Sequence, residues 1–138
     1  MDRKIFLKQS ALGCIGLTGV LGLASCSAIA TLTVVPSNNL IEIPLTQMLD
    51  KTFLKVRSKS LQYDILLIKK ADGTYYSLYM KCTHNDAGVM FDGQNFQCPL
   101  HGSSFNKLGA VTNGPASTEL KKMKTEIKSQ NIIISINL

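Results

Sequence analysis

From residue 40 onward the chain is divided into short apolar segments separated by turn formers. Residues 40–43 carry Leu40, Ile41 and Ile43 and predict a strand that Pro44 ends. Residues 53–56 predict a second. Residues 63–69 and 74–79 flank Ala71-Asp72-Gly73, the composition of a hairpin turn. Near the C-terminus Met123, Thr125 and Ile127 alternate with Lys122, Lys124, Glu126 and Lys128, the period of two of a half-buried strand. Ser129-Gln130-Asn131 turns the chain, and Ile132, Ile134 and Ile136 then share one face of a last strand. Only residues 45–51 could form a helical turn. The pattern predicts an all-β sandwich or small barrel.

The middle of the chain breaks this pattern with Cys82-Thr83-His84 and, thirteen residues later, Cys98-Pro99-Leu100-His101-Gly102. Both histidines of the chain lie here, with two of its four cysteines. A hairpin explains how the halves meet. Val89-Met90-Phe91 and Gln94-Asn95-Phe96 flank Asp92-Gly93, read as a two-residue turn. That turn pairs Phe91 with Gln94, Met90 with Asn95 and Val89 with Phe96, and sets Cys98 opposite Ala87. Both Cys/His elements then reach one end of the hairpin, and Cys82, His84, Cys98 and His101 form a candidate metal site of N and S ligands. Asp86 and Asp92 read as turn residues. A structural zinc site and a Cys82–Cys98 disulfide with bystander histidines stay open on the residues alone.

The N-terminus reads as an address. Arg3, Lys4 and Lys8 precede an apolar run over residues 11–24, followed by Leu23-Ala24-Ser25-Cys26. A basic start, a short apolar middle and small residues at the cut make a secretory signal. Fourteen helical residues rise about 21 Å, short of a hydrocarbon core of about 30 Å. Residues 23–26 resemble the bacterial lipoprotein lipobox, which implies cleavage after residue 25 and a lipid on Cys26. The alternative is an uncleaved anchor running to about Val35. Residues 3–8 resemble a twin-arginine export motif with Lys4 in place of the second arginine. Residues 26–39 are expected to be a lipidated tether and 40–138 the folded domain. Cys14 reads as apolar filler in the discarded segment.

Charge changes the picture little. Of the net +6, +4 remains once Asp2, Arg3, Lys4 and Lys8 are set aside with the signal. Lys51, Lys55, Lys59, Lys69 and Lys70 are scattered, and Lys121, Lys122 and Lys124 cluster. With no Trp and no focused basic stripe, nucleic acid is not an expected partner. The basic surface suits docking to an acidic redox partner.

Cys-x-His with Cys-x-x-His resembles the signature of the Rieske [2Fe–2S] protein family. The likeness extends to Gly102-Ser103-Ser104-Phe105, Gly109 and Gly114-Pro115-Ala116, and covers most of residues 40–136. It implies a fold of three stacked antiparallel sheets with a small cluster-binding part at about residues 80–116. It implies that two thiolates hold one iron and two imidazoles the other, with Ser103 as a hydrogen-bond donor to a sulfide. Histidine ligands raise the potential and permit electron transfer coupled to a proton. High-potential, quinol-oxidising members add a disulfide at the positions of Ala87 and Leu100, and a tyrosine where Phe105 stands. Asn85 replaces a shielding leucine. These departures imply a potential below those members, within a family range of about −150 to +300 mV. The expected role is a membrane-anchored electron-transfer protein on the periplasmic or extracellular side, rather than an enzyme by itself. It would partner a respiratory oxidoreductase, such as a cytochrome or quinol-oxidising complex. A ferredoxin component of an oxygenase system and a zinc-binding cell-surface module are the alternatives.

Overall fold

The uninterrupted run Ile65-Leu66-Leu67-Ile68 is buried along its whole length, on both faces of its strand. The structure, a computed structural model, describes residues 28–138. The strands are β1 (Thr31–Thr33), β2 (Leu40–Pro44), β3 (Phe53–Arg57), β4 (Ile65–Lys69), β5 (Tyr75–Tyr79), β6 (Met90–Phe91), β7 (Asn95–Gln97), β8 (Ser104–Asn106), β9 (Val111–Asn113), β10 (Lys122–Lys128) and β11 (Asn131–Ser135). One 3-10 turn, Leu45–Met48, follows β2.

Seven strands run in the order β1-β3-β4-β5-β10-β11-β2, and four in the order β6-β7-β8-β9. The larger sheet folds over at β10. Its first residues pair with β5 (Lys122↔Leu78, Met123↔Ser77) and its later ones with β11. Ile41, Ile43, Ile132 and Ile134 of the folded-over half thus pack on Leu54, Val56, Ile65 and Leu67. The other face of β4 and β5, with Leu66, Ile68 and Leu78, packs on Phe96 and Phe105 of the four-stranded sheet. The result is three stacked layers with β4 in the middle one. A strand buried on both sides needs no polar alternation, which is why β4 is continuously apolar. Buried Ser77 is satisfied by Thr125 at 2.6 Å across β5 and β10.

Three local expectations need correction. The segment expected to be a plain tether carries β1, which pairs parallel with β3 (Thr31↔Lys55, Thr33↔Arg57). Leu32 and Val34 pack on the core, which ties the segment down. The hairpin before Cys98 pairs Phe91↔Phe96 and Met90↔Gln97, two residues from the expected register. The cause is Asp92, whose carboxylate accepts the N–H groups of Gln94 and Asn95 at 2.8 and 2.7 Å. Asp92 therefore precedes the turn, and Gly93, at φ +101°, takes its first central position. Finally, Ile127 is 47% exposed, because β10 has left β5 by then and pairs with β11 alone.

The layers fix direction. β5 leads into Cys82, β7 leads into Cys98, and β8 starts just after His101. All three open at the same end of the stack.

Candidate metal centre

Two loops of one design carry the Cys/His elements. In the first, Cys82 N–H donates to the Ala87 carbonyl at 2.8 Å, beside a bridge between Lys81 and Gly88. In the second, Cys98 N–H donates to the Ser103 carbonyl, also at 2.8 Å, and Gly102 N–H returns to the Cys98 carbonyl at 3.1 Å. Each cysteine thus closes its loop through the residue five positions on. Such tight loops tuck the cysteine inward and leave the following residues at the tip.

Burial follows from this. Cys82 and Cys98 are 2% and 3% exposed, while His84 and His101 are exposed. The two imidazoles meet edge to face with ring centroids 5.1 Å apart. The two cysteines are free thiols. Burial pushes the Cys82 thiol up. The N–H groups of Asn85 and His84, the Cys98 thiol and the Ser103 hydroxyl outweigh it and hold the thiol below its ordinary value.

The donor set divides into a buried sulfur pair and an exposed nitrogen pair. A tetrahedral zinc wants four ligands about one point. Two by two suits a group with two metal atoms, one per pair, so the residues present fit a [2Fe–2S] cluster with mixed ligands.

A third loop braces the two. Ala116 N–H donates to Ser103 Oγ at 3.0 Å, and Thr83 Oγ1 donates to the Thr118 carbonyl at 2.6 Å. Residues 114–118 are therefore fastened to both Cys/His loops, with Pro115 between. Ser103 is fully buried, accepts from Ala116, and is among the groups that lower the Cys82 thiol. Of the departures read in the sequence, Leu100 is exposed, Ala87 is half-buried, and Phe105 is buried with no hydroxyl to offer.

The sequence reading undervalued Asp86. It is more than a turn residue: it accepts from Tyr63 Oη at 3.0 Å and Gln62 Nε2 at 3.2 Å, and pairs with Lys81 Nζ at 3.1 Å. These contacts tie the loop bearing His84 to the segment between β3 and β4. Lys81 lies one residue before Cys82 and was the one local signal available. Cys14, Cys26 and the lipobox at 23–26 lie outside the described residues.

Comparison with known proteins agrees with the geometry. The Rieske [2Fe-2S] domain family matches residues 42–124. The cytochrome b6-f complex iron-sulfur subunit 1 of Synechocystis sp. is 38% identical over 73 residues, which is 50% of this chain and 41% of that protein. The corresponding subunit of Chlorobaculum thiosulfatiphilum is 32% identical over 84 residues, 57% of this chain and 46% of that one. The chain thus spans under half the length of these curated relatives. Among solved structures, the plasma membrane Rieske protein PetC3 from Synechocystis superposes with a TM-score of 0.56 at 24% identity, covering 70% of this chain and 99% of that one. A complex of oxygenase and ferredoxin in carbazole 1,9a-dioxygenase gives a TM-score of 0.52 at 21% identity, covering 72% of this chain and 94% of the matched one. At such identities the likeness concerns the fold alone. Fold, paired donors and family match converge, and the chain belongs to the Rieske [2Fe–2S] family.

Proposed function

We propose that this protein is a one-electron carrier at the outer face of a membrane, acting as a subunit or partner of a respiratory oxidoreductase. Cys82 and Cys98 would hold one iron and His84 and His101 the other. The observation that carries the reading is the split of the four donors: thiols shielded inside, imidazoles displayed at the tip. Bound there, the cluster supplies reversible one-electron chemistry.

The chain's own residues do the rest. The buried loops keep water from the sulfurs. Ser103 and the N–H groups of His84 and Asn85 favour the Cys82 thiolate, and hydrogen-bond donors to a cluster's sulfurs raise its potential. The exposed imidazoles give a partner short access to the centre. The relatives' identity as cytochrome b6-f complex iron-sulfur subunits supports a cytochrome-complex type of redox partner. The signal-like N-terminus with its lipobox supports export and a lipid on Cys26.

The test is the spectrum of the as-isolated and dithionite-reduced protein with a redox titration. The reading expects a coloured protein whose EPR signal appears on reduction, with a midpoint below about +250 mV. A colourless protein, or one whose spectrum ignores reductant, refutes it.

A further inference from the structure

Four lysines and two leucines converge at the end of the sheet opposite the cluster. Lys69 and Lys70 close β4, Lys51 precedes β3, and Lys107 with Leu108 follows β8. Lys69, Lys70 and Lys107, with Thr52 and Ala71, line two adjoining grooves. Leu49 and Leu108, 74% and 56% exposed, lie at their rims. Among the described residues Lys69, Lys70 and Lys107 have no ion-pair partner, and Lys51 pairs with Asp50 at 2.9 Å. Asp50 and Asp72 are the acids beside the patch. Asp72 accepts from Thr74 and acts on Lys70 through its charge, and four lysines against these two acids leave the patch net positive.

The chain's N-terminal segment leaves from this same end. β1 runs parallel to β3, so its first residue lies at the Phe53 end of the sheet. Phe53 pairs with Ile68, and Ile68 with Tyr76, far from the turn into Cys82. Lys55 N–H binds the Ala30 carbonyl at 2.9 Å, which fixes the chain by residue 30. Four peptide steps separate Cys26 from Ala30, a reach of at most about 14 Å. From Tyr75 along β5 to Cys82 is seven residues, or about 23 Å in the opposite direction.

We infer that this basic, leucine-rimmed end lies on an anionic lipid surface and turns the Cys/His loops away from the membrane. Lysines attract acidic headgroups, exposed leucines enter the interface, and the short connection leaves the domain little freedom to turn over. A partner then reaches His84 and His101 from the aqueous side. The inference rests on the proposed membrane tether for the presence of the bilayer, but the two fail differently.

The test uses full-length holoprotein carrying Leu49→Cys or Leu108→Cys, mixed with vesicles of phosphatidylglycerol and phosphatidylcholine or of phosphatidylcholine alone. A membrane-impermeant maleimide is added, and labelling is read by peptide mapping. Lys59→Cys, in the loop after β3 at the cluster end, is the control. The inference expects labelling at 49 and 108 to slow at least about fivefold on the anionic vesicles, with 59 unchanged. Lys69→Glu with Lys107→Glu abolishes that protection while the protein keeps its colour. Bound protein that labels equally at 49 and 59, or protection indifferent to lipid charge, overturns the orientation and leaves the tether standing. Protein that binds neither vesicle overturns both.

Discussion

Ser103→Ala tests the bracing of the centre through one atom. In the folded protein Ser103 Oγ accepts from Ala116 N–H at 3.0 Å, and its hydroxyl is among the groups that hold the Cys82 thiol below its ordinary value. Removing it leaves a buried N–H without an acceptor, a cost of about 1–3 kcal/mol. It also removes a donor from the sulfur, where a charge-assisted bond is worth about 1.5–3 kcal/mol. Only the part that strengthens on reduction affects the potential. If that part is about 1 kcal/mol, the midpoint falls by about 40 mV, since tenfold in a one-electron equilibrium is about 59 mV. Denaturant unfolding gives the stability change and protein-film voltammetry the midpoint. Thr83→Val separates the two effects. It cuts the other brace, to Thr118, without removing a donor from a sulfur. It should cost about 0.5–1.5 kcal/mol and shift the midpoint much less. A Ser103→Ala protein with full iron and a midpoint within about 10 mV of the parent refutes the reasoning.

Further consequences are as specific. Lys81, then Gln62 and Tyr63, hold Asp86 below the ordinary carboxylate value of 3.8, so its contribution to stability is full above that value and lost as pH falls through the lowered one. Asp86→Asn should therefore flatten the acid side of the stability profile, and denaturant midpoints compared at neutral and acid pH check it. Gly109 has φ +88°, and an added Cβ would sit 3.1 Å from Leu78 Cδ2, whereas Gly73, at φ +83°, faces open space. Gly109→Ala should lower the melting temperature more than Gly73→Ala, which costs about 1–2 kcal/mol for its backbone alone; equal losses would argue against the packing. Leu67→Ala opens a void between the middle and folded-over layers and should cost about 2–5 kcal/mol in denaturant unfolding. Cys26→Ala should release the protein from membranes on a salt wash, and retention would point to an uncleaved helix as the tether.

The sequence showed most where one residue type has one use. The alternation around Met123 and the continuous apolar run of β4 announced their strands, because burial on one or two faces leaves a direct imprint on spacing. The Cys/His spacing pointed to two tight loops, which the Cys82–Ala87 and Cys98–Ser103 hydrogen bonds close. What stayed hidden depends on contacts between distant segments. The parallel docking of Thr31–Thr33 is decided by Lys55 and Arg57, more than twenty residues away. The hairpin register was misread because Asp92 has two roles open to it, and only its bonds to Gln94 and Asn95 select one. Lys51, Lys69, Lys70 and Lys107 are dispersed in sequence and meet only through the register of β3 with β4 and the packing of the four-stranded sheet on β4 and β5. The partners of Asp86 come from residues 62, 63 and 81, a convergence that local spacing does not encode.

The central claim is mixed ligation of a two-iron centre by one thiol pair and one imidazole pair. Protein grown with ¹⁵N-histidine and reduced for electron–nuclear double resonance reads that ligation directly. The account predicts two strongly coupled histidine nitrogens on a centre with two irons and two labile sulfides per chain, the composition of the matched family. One zinc per chain, or a reduced signal without histidine coupling, contradicts it.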